Sequence, residues 1–471
     1  MTPIENRVPS GDIRNLCDKI RKYNYVEPAD FERFNVKKGL RNADGTGVMA
    51  GITKVCSVEG YHIVDGEKTP VDGKLYYRGI SIDDIINACV EEDRFGFEEV
   101  IWLLLFGELP TKSQLDNFCS ILGRSRELPE DFIEAMIMKS TSPNVMNKLA
   151  RSVLSLYSYD NNPDDTSIEN VLRQCINIIA QIPAIMVYAY QVKRRHYYHK
   201  SMYIHQMKPD FKTAETVLRS IRANKTFTDK EAKLLDICLM AHADHGGGNN
   251  STFTTRVLTS SGTDTYSAIA AGIGSLKGPK HGGANIKVVE MVNQIKAGVS
   301  DITDEGQVAD FLRKIIMKQE GDGSGLVYGM GHAIYTLSDP RAVLLRRSAE
   351  DLAIKKGRMD ELKLLDRIAV LTPHLFATVK GGSKIICPNV DFYSGFVYSM
   401  MGLPVEMYTA LFVISRVAGG GAHRAEELTT GGRIIRPAYM STIHPLTYVP
   451  IHDRVEIDQR QAELSKIKHL F

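Results

Sequence analysis

The sequence predicts a mainly α-helical protein with a small β element near its start. Three observations carry this. Apolar residues recur at helical spacing in most segments from Phe97 onward, strand-like character is confined to residues 52–78, and neither βαβ alternation nor a repeat of fixed period is present. At 471 residues the chain is long enough for a large core and for more than one domain.

Residues 11–35 read as helical and polar. Lys37-Lys38-Gly39-Leu40-Arg41 then leads into the Gly-rich turn Asp44-Gly45-Thr46-Gly47. Residues 52–64 have β character, Asp65-Gly66 and Asp72-Gly73 read as turns, and Lys74-Leu75-Tyr76-Tyr77-Arg78 follows, so one or two hairpins are expected. Residues 97–106 form an apolar helix closed by Gly107. Thr111-x-x-Gln114 is a capping box for the next helix, whose apolar face is Leu115, Phe118, Cys119 and Leu122. Helices are predicted over 144–158, 166–192, 213–222, 229–243 and 268–276. The turn Gly278-Pro279-Lys280-His281-Gly282-Gly283-Ala284-Asn285 opens another, with Val288, Met291, Val292 and Ile295 on one face and Gly298 as its stop. Further helices follow over 304–318, 341–356, 359–379 (broken at Pro373), 392–401 and 404–417. The Gly-rich stretches 278–283 and 419–421, and the region around Gly402, read as hinges. They divide the chain into residues 1–278 and 396–471 as two parts of a large helical domain, with 279–395 as a smaller inserted domain.

Composition excludes several classes of function. The net charge of +2, with 43% apolar and 24% charged residues, gives no general case for nucleic acid or membrane surfaces, so any anion site must be local. The N-terminal residues lack the apolar core of a secretory signal, and no uninterrupted run of about 18 apolar residues marks a bilayer span. Seven scattered cysteines, never in C-x-x-C spacing, suggest reduced thiols, a cytoplasmic location and no zinc centre. His242 and His245 are three apart on a helix, but the H-E-x-x-H glutamate and a clear third ligand are missing. G-x-G-x-x-G after a strand, a Walker A lysine and G-x-S-x-G are also missing.

What remains is a set of histidines among glycines, a carboxylate and several arginines. His281 stands before a helix and between glycines, where it would be neutral and could donate to a carbonyl. His245 lies in His242-Ala243-Asp244-His245-Gly246-Gly247-Gly248-Asn249, and His332 in Gly329-Met330-Gly331-His332, ahead of Asp339-Pro340-Arg341. Asp391 begins a helix in Pro388-Asn389-Val390-Asp391, and Arg416 and Arg436 sit in tight contexts. Singly, each reads as a turn or a surface charge. Together, a carboxylate base, a donor for a developing enolate and guanidinium forks for a di-acid suit carbon–carbon bond formation.

In order along the chain, residues 74–82, 97–110, 244–249, 278–285, 329–341, 388–395 and 415–437 resemble the motifs of the citrate synthase family. The resemblance implies that family's fold, a large helical domain with a smaller helical lid, and an acyltransferase of the citrate (Si)-synthase type. Such an enzyme condenses acetyl-CoA with oxaloacetate and hydrolyses citryl-CoA, without a metal or other cofactor. It implies that His281 binds the thioester carbonyl, that Asp391 removes the methyl proton and that His332 polarises the oxaloacetate ketone. His245, Asn249, Arg341, Arg416 and Arg436 would hold oxaloacetate, with Arg436 acting across a homodimer interface. Leu326, Val327, Tyr328 and Gly329 would cradle CoA. Between His332 and Asp339, where many members carry a basic residue for a CoA phosphate, this chain has none, leaving Arg41 and Lys384 to compensate. The rival readings are a 2-methylcitrate synthase using propionyl-CoA and a non-catalytic relative that binds carboxylates or CoA.

Overall fold

The computed structural model describes residues 10–42, 44–65, 67–381, 385–443 and 445–454. The polar N-terminal stretch is two helices, α1 (Ser10–Tyr23) and α2 (Pro28–Arg33), rather than one. Pro28 forces the break: it holds Glu27 in extended backbone (φ −62°, ψ 132°) and itself fits the first helical turn, where its missing N–H is not needed.

The β element is one antiparallel hairpin, β1 (Cys56–Val64) and β2 (Glu67–Tyr77), extended by the two-residue β3 (Ile80–Ser81) on the other edge of β2. Asp72-Gly73 is not a turn. It bulges within β2 opposite Gly60, between the pairs Glu59–Lys74 and Tyr61–Pro70. The bulge docks on the 334–340 loop: the Gly73 N–H donates to Ser338 Oγ (3.1 Å), and a Cβ on Gly73 would stand 2.1 Å from Ser338 O.

Helices then follow with capping that the sequence announces. Ser81 caps α3 (Ile82–Glu91), and Gly107, in the left-handed region at φ +91°, closes α4 (Phe97–Phe106). The Thr111–Gln114 capping box opens α5 (Lys112–Arg124), and Asn144 caps α6 (Val145–Ser155). Next come α7 (Ile168–Tyr198), α8 (Thr213–Ile221), α9 (Asp229–His242), α10 (Asn250–Ser260), α11 (Thr265–Lys277) and α12 (Ala284–Gly298). The series ends with α13 (Glu305–Ile316), α14 (Pro340–Lys355), α15 (Met359–Lys380), α16 (Val390–Met400) and α17 (Tyr408–Thr430).

Further features differ from the sequence expectation. Helices α3 and α10 were not anticipated. α15 continues through Pro373 instead of breaking there. α7 passes through Pro183 and is long and apolar enough to cross a bilayer by length and composition, but 78% of that window is buried inside the protein, as in a core helix. Gly419–Gly421 is no hinge; it lies in the buried interior of α17. There a Cβ on Gly419 would come within 2.6 Å of Ala243 O and Asp244 Oδ1, so glycine lets α17 press against the end of α9.

α17 packs against α4, α7, α9, α10 and α11, while α12 and α14 pack on α16 and α13 packs on α15. The buried Arg424 fastens α17 to the α10–α11 connection, donating to Thr259 Oγ1 (3.2 Å), Thr265 Oγ1 (3.1 Å) and Thr263 O (2.8 Å). Residues from Ile434 form a separate unit, whose described residues up to Arg454 have no helix or strand apart from one 3-10 turn, Ile451–Asp453.

Candidate active site

Three connections and one helix start converge. They are the loop after α9, the 278–283 turn, the 329–339 loop and the first turn of α16. The last two are tied by backbone bonds, Gly331 N–H to Cys387 O (2.7 Å) and Asn389 N–H to Gly329 O (2.8 Å). Gly329 allows this pairing: its φ is +77°, and a Cβ there would lie 2.8 Å from side-chain carbons of Phe392 and Val288. Asp339 completes the junction. Its carboxylate accepts from Arg341 N–H (3.0 Å), Arg341 Nε (3.0 Å), Arg341 Nη2 (2.8 Å) and Val390 N–H (3.2 Å).

Hydrogen bonds fix the proton positions on two histidines. Ser251 N–H, in the first turn of α10, donates to His281 Nε2 (3.4 Å), so the neutral ring carries its proton on Nδ1. His332 is the mirror case: its Nδ1 accepts from Ile334 N–H and Tyr335 N–H (3.1 Å each), which leaves Nε2–H as the donor. Burial lowers the pKa of His281 to about 4, with the Arg416 charge adding to it. Burial and then Arg341 do the same to His332, also to about 4. Both rings are therefore neutral donors near neutral pH. The helix start behind His281 is not the leading cause. A Cβ on Gly282, which follows it, would meet Leu276 O at 2.3 Å, so this glycine also permits close packing of the turn.

His245 stands edge-on to His332 (centroids 4.9 Å) and is held well below its ordinary pKa by burial and then by Arg341. Its Nε2 is buried without a hydrogen-bond partner among the described residues. Asp391 receives no side-chain donor among the described residues. Its Oδ1 is closed off and unpartnered, and burial, abetted by Asp339 and opposed by Arg341 and Arg416, raises its pKa to about 7. Desolvation thus outweighs the two arginine charges.

The arginines differ. Arg416 spends Nε on His242 O (3.0 Å) and keeps both terminal amino groups buried and without a hydrogen-bond partner among the described residues, an arrangement suited to a bidentate carboxylate. Arg341 has most of its fork on Asp339. Asn249 precedes α10 and accepts from Ser251 Oγ (2.9 Å). Arg41 donates to Gly45 O (3.3 Å), and its charge acts on His332. Val327 is buried and Leu326 exposed, while Tyr328 O–H donates to Asp322. Arg436 lies in the separate C-terminal unit and is exposed; Lys384 lies outside the described residues.

A family description, "Citrate synthase, C-terminal domain", matches residues 43–438, most of the chain. This chain belongs to the citrate synthase family. It is a condensing acyltransferase of that family, with the family's mainly helical fold. Among its relatives are the citrate synthase of Synechocystis sp., 30% identical over 89% of this chain and 94% of that one, and 2-methylcitrate synthase 1 of Corynebacterium glutamicum, 30% identical over 89% and 98%. The solved citrate synthase of Thermotoga maritima covers 89% of this chain and 100% of its own, with 27% identity and a TM-score of 0.68. The Thermoplasma acidophilum enzyme, solved with carboxymethyl coenzyme A and oxaloacetate, covers 89% and 99%, with 25% identity and a TM-score of 0.70.

Two further groups belong to this candidate site, Tyr335 and the Asp244–His423 pair. Tyr335 stacks on His332 (4.7 Å, 26° between rings) and lies beneath the Arg341 guanidinium (5.6 Å). Behind Arg416, Asp244 Oδ2 accepts from His423 Nε2 (2.9 Å), because Nδ1 of that ring is occupied as an acceptor by Arg256 Nε (3.1 Å). Arg256 in turn pairs with Glu427 (2.7 Å) and Glu426. Burial pushes Asp244 up, but His423 and Arg416 outweigh it and leave the carboxylate ionised, with a pKa of about 2. The spacing of His423 as α-helical partner to a buried Arg424 gave no signal for this, since its partners come from α9 and α10.

Proposed function

We propose that the chain condenses acetyl-CoA with oxaloacetate and hydrolyses the resulting citryl-CoA to citrate and CoA, as a citrate (Si)-synthase. The observation that carries this reading is the trio His281, His332 and Asp391: two neutral histidines with opposite nitrogens as donors, and a carboxylate poised near pH 7. A thioester α-proton is too weakly acidic for a carboxylate alone, so base and electrophile must act together. Asp391 removes the methyl proton while His281 Nδ1–H donates to the oxygen that gains charge. His332 Nε2–H donates to the oxaloacetate ketone, and the enol carbon attacks it. Arg416 takes one carboxylate through its two unpartnered amino groups, with Arg341, His245 and Asn249 lining the rest of the pocket. Leu326, Val327, Tyr328 and Gly329 cradle CoA, and Arg41 and Lys384 meet its phosphates. Residues 279–395 act as a lid that excludes water. The reading includes a homodimer in which Arg436 reaches the partner's site, and a cytoplasmic location.

The second reading is 2-methylcitrate formation from propionyl-CoA, favoured by the equal identity, 30%, to a citrate synthase and a 2-methylcitrate synthase. One methylene is discriminated by only about 1–3 kcal/mol, so both acyl groups can turn over. Thiol release from acetyl-CoA and from propionyl-CoA, each with oxaloacetate, tests both. A kcat/KM larger with acetyl-CoA supports the first reading, one larger with propionyl-CoA replaces it with the second, and no release from either rejects both.

A further inference from the structure

Away from the active site, Lys212 Nζ lies 2.9 Å from Cys119 Sγ. Cys119 is on α5 and Lys212 is the residue before α8; both are partly exposed. Five of the seven cysteines (Cys56, Cys89, Cys175, Cys238 and Cys387) are buried, so Cys119 combines access for a small oxidant with an amine at contact distance.

The pair sits on a buried acidic cluster. Glu98, 3% exposed, accepts from Thr213 N–H (2.8 Å) and Thr213 Oγ1 (2.9 Å) through Oε1, whereas its Oε2 is buried with no partner among the described residues. Asp236 lies in the same cluster, accepting from Gly96 N–H (2.7 Å) and Phe97 N–H (3.2 Å). Burial and then the charge of Glu98 raise the Cys119 thiol's pKa, with Lys212 opposing them; the charge of Glu98 also acts on Lys212, and that of Lys212 on Asp236. Lys212 is thus one cation of this cluster, beside the buried Arg126, whose charge also meets Glu98.

We propose that Cys119 and Lys212 form a reversible covalent redox link, an S–N bond closed after oxidation of Cys119 by a hydroperoxide. In the first step the Cys119 sulfur attacks the peroxide, the O–O bond breaks and an S–O bond forms. Sulfur loses two electrons, the peroxide is reduced to its alcohol (water, for hydrogen peroxide), and Cys119 becomes a sulfenic acid. In the second step the partly exposed Lys212 ammonium loses a proton to solvent, the amine attacks sulfur, and the S–O bond breaks. The departing hydroxide leaves as water with a proton, and no second oxidant is needed. A nucleophile held in contact competes with a second peroxide through proximity, as sulfenic acids condense with neighbouring nitrogen elsewhere. Two equivalents of an external thiol reverse the link, restoring thiol and amine and leaving a disulfide of the reductant. While it stands, the link staples α5 to α8 and removes one cation from beside Glu98 and Asp236, leaving Arg126.

The test uses the full chain. It is treated with dilute hydrogen peroxide, remaining thiols are alkylated, and the digest is read by mass spectrometry without reductant. The expected result is a peptide pair joined through Cys119 and Lys212, lighter by two hydrogens than the sum of its parts and lost after dithiothreitol. Lys212→Arg should abolish the pair and expose Cys119 to dimedone capture. In the unaltered chain, Cys119 that stays an alkylatable thiol, or proceeds to sulfinic acid with no joined pair, overturns the proposal. The unaltered chain decides the outcome whether or not the variant folds.

Discussion

The Ser251 backbone N–H donates to His281 Nε2, at 3.4 Å, and thereby assigns the ring's proton to Nδ1. A main-chain donor in a helix's first turn thus orients the side chain that is to stabilise an enolate. Removing the ring removes a donor aimed where charge develops, so His281→Ala should lower kcat by about 10²–10³-fold. Oxaloacetate affinity, measured by calorimetry, should change little; a variant with near-normal kcat would dismiss His281 as the electrophile.

Asp391 sets the pH dependence. With a pKa raised to about 7, it is protonated and useless as a base in acid, and ionised above neutrality. The rate of the condensation step should rise as pH increases through about 7 and then level off. Asp391→Asn should lose roughly 10²–10⁴-fold and with it that pH dependence. Pre-steady-state rates across pH 5.5–8.5 are the check, and an unchanged profile in the variant would assign the titration elsewhere.

Arg416 presents two buried, unpartnered amino groups. Arg416→Lys keeps the charge but loses the fork, so at least one charged hydrogen bond to a carboxylate goes unmade, about 1.5–3 kcal/mol. The KM for oxaloacetate should rise roughly ten- to a hundredfold. The KM for the acyl-CoA should stay within a few fold.

Gly419→Ala sets two effects against each other. Alanine favours the helix by about 1 kcal/mol, but its methyl would lie 2.6 Å from Ala243 O and Asp244 Oδ1, neither the tip of a flexible chain. Overpacking of this kind costs about 1–3 kcal/mol, so the clash should win. A lower thermal midpoint and weaker oxaloacetate binding are expected together, because the displaced segment leads into His245.

The buried histidines predict an acid limit to stability. His242, His281 and His332 have pKa values lowered to about 3, 4 and 4, from 6.5. Between pH 6.5 and 4 the unfolded chain therefore binds more protons at these three sites, and stability falls as pH falls. Asp391 works the other way, holding a proton in the folded state between pH 3.8 and about 7, as does Asp236, whose pKa burial raises well above its ordinary value. His245, also held well below its ordinary pKa, joins the other three histidines, and four groups outweigh two, so denaturation midpoints should climb from pH 4.5 to 6.5. His332→Gln should flatten the slope.

Most helices were legible because their ends are written in local chemistry, as with Thr111 and Gln114 at α5 and Gly107 after α4. The misses share a cause. α10 is rich in Ser and Thr, which are weak helix formers, and it persists because it packs between α11 and α17. Pro373 and Gly419–Gly421 read locally as a break and a hinge, yet neighbouring helices keep both segments helical. Likewise Asp72-Gly73 has turn chemistry but is drawn into β2 by Ser338.

By itself, the sequence determined the fold class, the family and the order of the candidate residues His245, His281, His332, Arg341, Asp391 and Arg416, since each rests on residue type and spacing. Only the tertiary structure decided which nitrogen of His281 and of His332 holds the proton, that Arg341 is largely engaged by Asp339 while Arg416 is open, and that desolvation outweighs the arginine charges at Asp391. Those outcomes depend on burial and on donors brought from distant segments, Ser251 to His281 and Tyr335 to His332, and neither is a property of the chain read one window at a time.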